Sequence, residues 1–288
     1  MRRVAAIDLG TNATRLLVAD VEGGRVEEVQ RRTTITKLGE GVDSRHRLLP
    51  VPIARVRNTL TDYRRELESL GAERTLAVAT SAVRDAENGE AFLGEVEWSY
   101  GFKTLLLSGD EEAAMTLRGV GPLDPGTVVI DVGGGSTELI TESFRTSMNI
   151  GSVRLTERFG VHQDAAAAAY IREQLPSLDA ERAVGVDGTT AELAGLAGSR
   201  TVTLATIDDT LEWLAVTSEE ERRARLILPD RSEVLAAGVL ILREALRHLG
   251  LDAIEASDRD LLNGAVLAAA ELPEPVEGEA PPGAYTCC

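Results

Sequence analysis

Cysteine is nearly missing from this chain: 288 residues contain two, Cys287 and Cys288, side by side at the last two positions. Neither can staple a core, which excludes a disulfide framework. The three histidines, His46, His162 and His248, are far apart and have no metal-ligand spacing, which argues against zinc. Aromatic residues make up 3% of the chain, too few for a surface on which nucleobases stack. No run of about 18 apolar residues occurs, and Asp8 interrupts "MRRVAAIDLG" too early for a signal peptide, so the expected location is the cytoplasm. Four common catalytic signatures are missing as well: the GxxxxGK(S/T) phosphate loop, GxGxxG after a strand, the GxSxG elbow and HExxH.

Acidic residues are plentiful. Forty-seven stand against 30 basic ones, a net charge of −17. That field disfavours indiscriminate binding to nucleic acid or membrane. An anionic ligand would need a local set of arginines or a metal ion to bind against it.

Strand patterns alternate with helix patterns. "RRVAAID" and "GRVEEVQRRTTITKLG" read as early strands with a turn at residues 22–24. Apolar residues at Ile53, Val56, Leu60, Tyr63, Leu67 and Leu70 follow the spacing of an amphipathic helix, opened by Pro52 and closed by Gly71. "RTLAVAT" reads as a buried strand, "SAVRDAENGEAFLGEVEWSYG" as one helix, "KTLLLSG" as a strand and "DEEAAMTLRGV" as a helix. A second series starts at "VVIDVGG" and passes from the strand "RAVGVDG" to the long helix "SEVLAAGVLILREALRHLG". It finishes with the strand "AIEA" and a helix from about Asp258 to Leu272. The tail "PEPVEGEAPPGAYTCC" is rich in Pro, Glu and Gly and is expected to be disordered.

"VVIDVGGGSTELI" repeats "AAIDLGTNATRLL" without a gap: Asp131 falls on Asp8, Gly133 on Gly10, Thr137 on Thr14, and Glu138 on Arg15. The repeat predicts an α/β protein with a duplicated domain, residues 1–122 and 123–272, and a ligand cleft between the copies. A tail would occupy 273–288, and the last helix could pack back on the first copy.

A strand that ends in Asp before glycines places a carboxylate beside backbone amides that approach a phosphate unhindered by Cβ. Gly133, Gly134 and Gly135 expose successive amides, Ser136 and Thr137 add hydroxyls, and Asp131 is placed to hold Mg²⁺. A hairpin whose glycines serve only the turn would use the same residues.

"SGDEEAAMT" carries two glutamates. Ser108 and Glu111 fit a capping box, which leaves Glu112, on a face with Thr116 and Gly119, free to deprotonate a water. Ser81 reads as an N-cap with Arg84 in the first turn, where a bound anion would offset the helix dipole. Arg15, Arg84, Arg154 and Arg259 all follow strand ends and form the candidate positive cluster.

Six segments in order, "AAIDLGTNATRLLVADV", "ATSAVRDAENG", "LLSGDEEAAMTLRGV", "VVIDVGGGSTELI", "NIGSVRLTERF" and "EASDRDLLNGAVL", resemble the motifs of the exopolyphosphatase and guanosine pentaphosphate phosphohydrolase family. That family lies within the superfamily of actin, sugar kinases and heat-shock chaperone ATPases. The resemblance spans residues 3–271. It implies two ribonuclease-H-like (actin-like ATPase) domains with a cleft between them, and Mg²⁺-dependent release of terminal orthophosphate from polyphosphate. It implies Glu112 as the catalytic base, Asp131 and Glu138 among the metal ligands, and Gly10, Asn12, Arg84, Gly133, Gly134, Gly135 and Ser136 among the phosphate contacts; the reading of the residues themselves adds Asp8 as a metal ligand and Thr11, Arg15 and Thr137 as phosphate contacts.

This chain departs from the family at "GVDGTTAELAGL", where Asp187 precedes Gly188 and Ala191 and Glu192 stand in place of threonines. It departs again at Asp260 and Asn263, and it lacks the C-terminal helical extension of longer members, which makes short chains a candidate preference. Guanosine pentaphosphate is the alternative substrate. From other classes come a sugar-kinase-like ATPase and a catalytically weak polyphosphate or nucleotide sensor. Oligomeric state stays open, a homodimer included.

Overall fold

The computed structural model describes residues 1–160, 165–186 and 188–273. The segment from residue 274, which holds most of the expected disordered tail, lies outside the described residues, as does Asp187. The chain divides into two compact units, one of residues 1–119 together with the chain from Leu261 onward, the other of Val120–Asp260.

The first unit runs β1 (Arg2–Leu9), β2 (Ala13–Glu22), β3 (Arg25–Ile35), α1 (Val42–Arg45), α2 (Pro50–Leu70), β4 (Arg74–Ala79), α3 (Ser81–Arg84), α4 (Gly89–Tyr100), β5 (Lys103–Leu106) and α5 (Gly109–Val120). Its sheet has the order β3-β2-β1-β4-β5. β1, β2 and β3 pair antiparallel, whereas β1, β4 and β5 run parallel. The sequence reading counts two early strands, and the structure has three. β2 is buried along almost its whole length, so it lacks the alternation that marks a strand with one wet face.

Strand pleating sorts this core. Ala5, Ile7, Leu9, Leu16 and Val18 form one cluster with Val56, Leu60, Tyr63 and Leu67 of α2. Val4, Ala6, Leu17 and Ala19 join the other, with Leu261, Leu262, Ala265, Val266 and Ala269. Those last residues belong to the final helix of the chain, α12 below. α2 starts at Pro50, two residues before the proline taken as its start, and ends at Gly71 in the left-handed region, φ 70°.

The second unit continues with β6 (Thr127–Val132), β7 (Thr137–Ile140), β8 (Arg145–Met148), α6 (Ser152–Phe159), α7 (Ala165–Gln174), β9 (Arg182–Gly185), α8 (Gly188–Ala197), β10 (Thr201–Thr203), α9 (Leu204–Val216), α10 (Glu219–Arg225), α11 (Leu235–Leu249) and β11 (Ala253–Ala256). The chain ends its described part with α12 (Leu261–Glu271), in the first unit. The second sheet has the order β10-β11-β9-β6-β7-β8. Its strands β8-β7-β6-β9-β11 follow the first unit's pattern, an antiparallel meander leading into parallel strands, with β10 added at the edge. This is the ribonuclease-H-like arrangement twice over: the duplication is what the repeated strand and loop predict, and the fold is what the resemblance implies. Between β9 and α11 the sequence reading places nothing, whereas α8, β10, α9 and α10 stand there. The apolar residues of α8 do not gather on one stripe, which hides the helical period.

α12 closes against α5 through glycine. A Cβ on Gly264 would stand 1.9 Å from the Met115 carbonyl oxygen and 3.2 Å from the Gly119 nitrogen. Alanine in a helix interior ordinarily stabilises by about 0.5–1 kcal/mol relative to glycine. Gly264→Ala is expected to reverse that sign and cost about 1–3 kcal/mol through overpacking. Gly94→Ala in α4, where a Cβ meets nothing within 4 Å, should show the ordinary gain when the two are compared by thermal unfolding.

Candidate active site

Both repeated segments are hairpins of one design. Gly10 N donates to Ala13 O at 3.1 Å and Gly133 N to Ser136 O at 2.9 Å. A Cβ would stand 2.9 Å from Ala13 O at Gly10 and 3.0 Å from Ser136 O at Gly133, so both turns need glycine. The reading of these glycines as hairpin residues therefore holds together with what the turns present. In the first turn Asn12 O accepts from Thr36 and Lys37 amides and Thr11 O from Gly39 N. In the second, Gly133 O accepts from Ser152 N, and Gly134 O from the amides of Val153 and Arg154. The amides of Thr11, Asn12, Gly134 and Gly135 make no hydrogen bond to another described residue. They are donors of the kind that cradle an anion.

Each turn is backed by another glycine, one that the sequence reading passes over or treats as a simple turn. A Cβ on Gly39 would fall 2.2 Å from Thr11 Cγ2, and one on Gly151 would fall 2.5 Å from Gly134 C and O and from Gly135 C. Two side chains in these hairpins stand out. Asn12 is 4% exposed, and neither its amide oxygen nor its nitrogen has a hydrogen-bond partner among the described residues. Such a group is costly without a ligand. Thr137, expected as a phosphate donor, instead gives its hydroxyl to Ile150 O at 2.6 Å and is fully buried.

The charge reversal between the repeats has a structural meaning. Asp8 faces Arg15 across the first hairpin and Asp131 faces Glu138 across the second. Arg15 directs Nε and Nη2 to Asp8 Oδ2, each at 2.8 Å, so it forms a cross-strand ion pair there. Glu138 is 1% exposed and accepts from Ser147 Oγ at 2.6 Å. Two carboxylates directly opposite on one hairpin repel each other, which makes this pair a fitting donor set for a cation.

β1, β4 and β5 are parallel neighbours, and their carboxyl ends gather the remaining groups. Asp8 is the next-to-last residue of β1, Arg84 follows β4 on α3, and Glu112 follows β5 on α5. Ser108 and Glu111 form the expected reciprocal cap, with Glu111 Oε2 accepting from Ser108 N at 2.8 Å and Glu111 N donating to Ser108 Oγ at 3.3 Å. Glu112 then turns inward. It shares the buried face of α5 with Thr116 and Gly119 as expected, but also with Ala113.

Arg84 sits in the last turn of a four-residue helix, not the first turn of a long one, and the residue preceding that helix is Thr80, not Ser81. Gly89 separates α3 from α4, since a Cβ there would lie 2.0 Å from Val83 O. Arg84 Nη1 donates to Leu107 O at 2.7 Å and to Glu112 Oε2 at 3.2 Å. Burial pushes the Glu112 carboxyl up to about 7, against the pull of Arg84. Asp8 nearby adds to the rise and Arg15 opposes it.

The four candidate arginines divide between the units. Arg15 and Arg84 belong to the first; Arg154 and the exposed Arg259 belong to the second. Arg154 Nε donates to Gly135 O at 2.9 Å and so braces the second turn. Glu192, a departure from the threonine pattern, is 2% exposed and accepts from Ile227 N and Leu228 N at 2.9 and 2.7 Å. Its charge is taken up in pinning that segment. Asn263 accepts from Arg31 Nη2 at 3.0 Å, and Asp260 is buried.

A model of the Ppx/GppA phosphatase family matches residues 17–272. The chain belongs to this family. Among Ppx/GppA relatives, exopolyphosphatase 2 of Mycobacterium tuberculosis is 35% identical over 317 residues, spanning 94% of this chain and 99% of that protein. A guanosine-5'-triphosphate,3'-diphosphate pyrophosphatase of Photobacterium profundum is 31% identical over 210 residues, 66% of this chain and 42% of its own. The crystal structure of the Aquifex aeolicus Ppx/GppA protein superposes with a TM-score of 0.75 at 27% identity, covering 93% of this chain and 97% of that one.

Proposed function

We propose that this Ppx/GppA phosphatase hydrolyses the terminal phosphoanhydride bond of inorganic polyphosphate in the cytoplasm, with Mg²⁺ as cofactor and Glu112 as base. The observation that carries the reading is a buried carboxylate poised near neutrality and held by an arginine at the carboxyl ends of three parallel strands. Such a group is partly in its basic form near neutral pH and gains proton-transfer driving force from its raised proton affinity. The similarity to an exopolyphosphatase along nearly the whole of both chains supports polyphosphate as substrate. No helix among the described residues is long and apolar enough to cross a membrane.

Phosphoryl transfer asks a protein mainly for positioning and charge neutralisation. In this mechanism each hairpin holds phosphate oxygens within its own unit, the first through the amides of Thr11 and Asn12 and the Asn12 side chain, the second through the amides of Gly134 and Gly135 and the Ser136 hydroxyl. Arg84 offsets their charge, and Arg15 is kept in place by Asp8. Glu112 takes a proton from the water that attacks in line. Asp131 and Glu138 would hold the cation. Among the described residues no three His, Cys, Asp or Glu side chains are grouped to hold a metal, and magnesium typically uses one or two carboxylates and completes its shell with water and substrate oxygens. When bound, the cation supplies charge neutralisation on the phosphate.

Activity is expected to follow the ionisation of Glu112. The base is lost as pH falls through about 7, so kcat/KM should decline about tenfold per pH unit below that point. A rate profile from pH 5 to 9 checks this. Guanosine pentaphosphate is the competing substrate, favoured by the similarity to a guanosine-5'-triphosphate,3'-diphosphate pyrophosphatase over part of the chain. Orthophosphate release from the two substrates at equal concentration tests the choice, and a larger kcat/KM on guanosine pentaphosphate would overturn it.

A further inference from the structure

The far end of the first sheet holds a feature that phosphate hydrolysis does not use. Arg84 and Glu112 lie past the carboxyl ends of β4 and β5. At the amino ends of the same two strands is a cavity of about 360 Å³, walled by the first unit alone. That volume falls within the range of roughly 300–1,000 Å³ typical of small-molecule sites. Two glycines open the space. α2 and α4 end at Gly71 and Gly101 in the left-handed region, φ 70° and 71°, and the chain turns there into β4 and β5. A Cβ on Gly71 would meet nothing within 4 Å. Leu67, Ala72, Phe102 and Leu272 give the cavity an apolar wall.

Two cations stand beside that wall on one face of the sheet. Arg74 pairs with Val4, and Lys103 pairs with Leu76, two residues further along β4. Val4 and Leu76 belong to one core cluster, so the pleat directs Arg74 and Lys103 to that same side. Arg74 is 7% exposed, and its Nη1 donates to Ala270 O and Leu272 O at the end of α12, which fixes the guanidinium in place. The Lys103 side chain is 54% exposed and meets Glu97 at 3.1 Å, a surface pair that contributes little and exchanges easily for another anion. A third cation, Arg64, is taken up by Glu68 at 3.0 Å, and Glu73 stands exposed at the rim. In a chain of net charge −17, a fixed guanidinium and a movable ammonium beside an apolar wall form a local field of the opposite sign.

We propose that this cavity is a second ligand site, for an amphipathic organic anion whose apolar body lies against Leu67, Ala72, Phe102 and Leu272 and whose acid group meets Arg74 and Lys103. Charge and apolar surface act together here: a bare phosphate would leave the apolar wall wet, and an uncharged ring would leave the two cations without a ligand. The site stands at the opposite end of β4 and β5 from Glu112 and is independent of which phosphate compound is cleaved there.

The probe is anilinonaphthalene sulfonate, with phenylnaphthylamine as its uncharged counterpart, titrated into the full chain by fluorescence and calorimetry. The sulfonate is expected to bind saturably and at least about tenfold more tightly than the uncharged probe, and to raise the unfolding temperature, as binding to the folded chain requires. Lys103→Met should weaken it about three- to tenfold, as loss of a charge-assisted contact does, and Lys103→Arg should retain it. Ala72→Trp, which fills the cavity, should weaken it by at least about tenfold. Arg74 is left intact because it holds α12. Equal affinity for the uncharged probe, affinity unmoved by Lys103→Met, displacement by an equal concentration of inorganic pyrophosphate, or a lowered unfolding temperature would each overturn the site. So would undiminished binding in an Ala72→Trp protein that is folded by circular dichroism; if that variant does not fold, the two Lys103 variants decide.

Discussion

Glu112→Gln is expected to lower kcat on polyphosphate by roughly 10² to 10⁴ while KM changes little. Glutamine has the same shape and retains a carbonyl oxygen for Arg84 Nη1, so the hydrogen bond at 3.2 Å has a counterpart in the variant. What it lacks is a lone pair basic enough to take a proton from water. Because a neutral side chain also removes a buried charge, the variant should be no less stable than the wild type. The acid limb near pH 7 should vanish with the base, leaving a residual rate that is flat from pH 6 to pH 8. Steady-state kinetics of the two proteins across that range check the rate and its pH dependence, and thermal unfolding checks the stability. Glu111→Gln is the control: Glu111 belongs to the cap with Ser108, a place that glutamine also fills, so both kcat and the fold should be nearly unchanged.

Removal of divalent cations is expected to reduce the rate to background, and added Mg²⁺ to restore it. The Asp131 and Glu138 pair stands cross-strand with Glu138 almost fully buried, and two such carboxylates gain most from a shared cation. Glu138→Gln should raise the Mg²⁺ concentration for half-maximal rate by at least roughly tenfold. Ser147→Ala, which removes the hydroxyl that donates to Glu138 at 2.6 Å, should do so to a smaller degree. Rates measured across a Mg²⁺ titration distinguish these variants, and a wild-type rate that survives chelation would remove the metal from the account.

The repeated hairpin was legible because Asp, Gly and Thr recur at identical spacing, and because a turn that needs glycine leaves a mark no other residue can leave. The inward face of Glu112 was legible by elimination, since Ser108 accounts for Glu111 through a local cap three residues away. The contact of Arg84 with Glu112 was not. The two are 28 residues apart, and they meet only because β4 and β5 pair in parallel with Ala79 beside Leu106. That register is tertiary and leaves no trace in local spacing.

The pairing of Arg15 with Asp8 was hidden for a related reason. Once the segment after Asp8 forms β2, Arg15 must stand opposite Asp8, and an ion pair follows. β2 itself was hard to recognise because strands covered on both faces do not alternate. Thr137 illustrates the converse case, where a hydroxyl in a phosphate-like motif is consumed by Ile150 O. The last helix belongs to the first unit despite its separation in sequence, as the sequence reading allowed. Arg74 on β4 donates Nη1 to Ala270 O and Leu272 O at 3.2 and 2.5 Å, satisfying the open carbonyls at the end of α12.

A single turnover of polyphosphate in H₂¹⁸O tests the central claim, attack by a water that Glu112 deprotonates. The account predicts one ¹⁸O atom in each released orthophosphate, no ¹⁸O in the Glu112 carboxylate, and release slowed by at least about a hundredfold in Glu112→Gln. Orthophosphate without the label, label in the Glu112 side chain, or undiminished release from Glu112→Gln would contradict it.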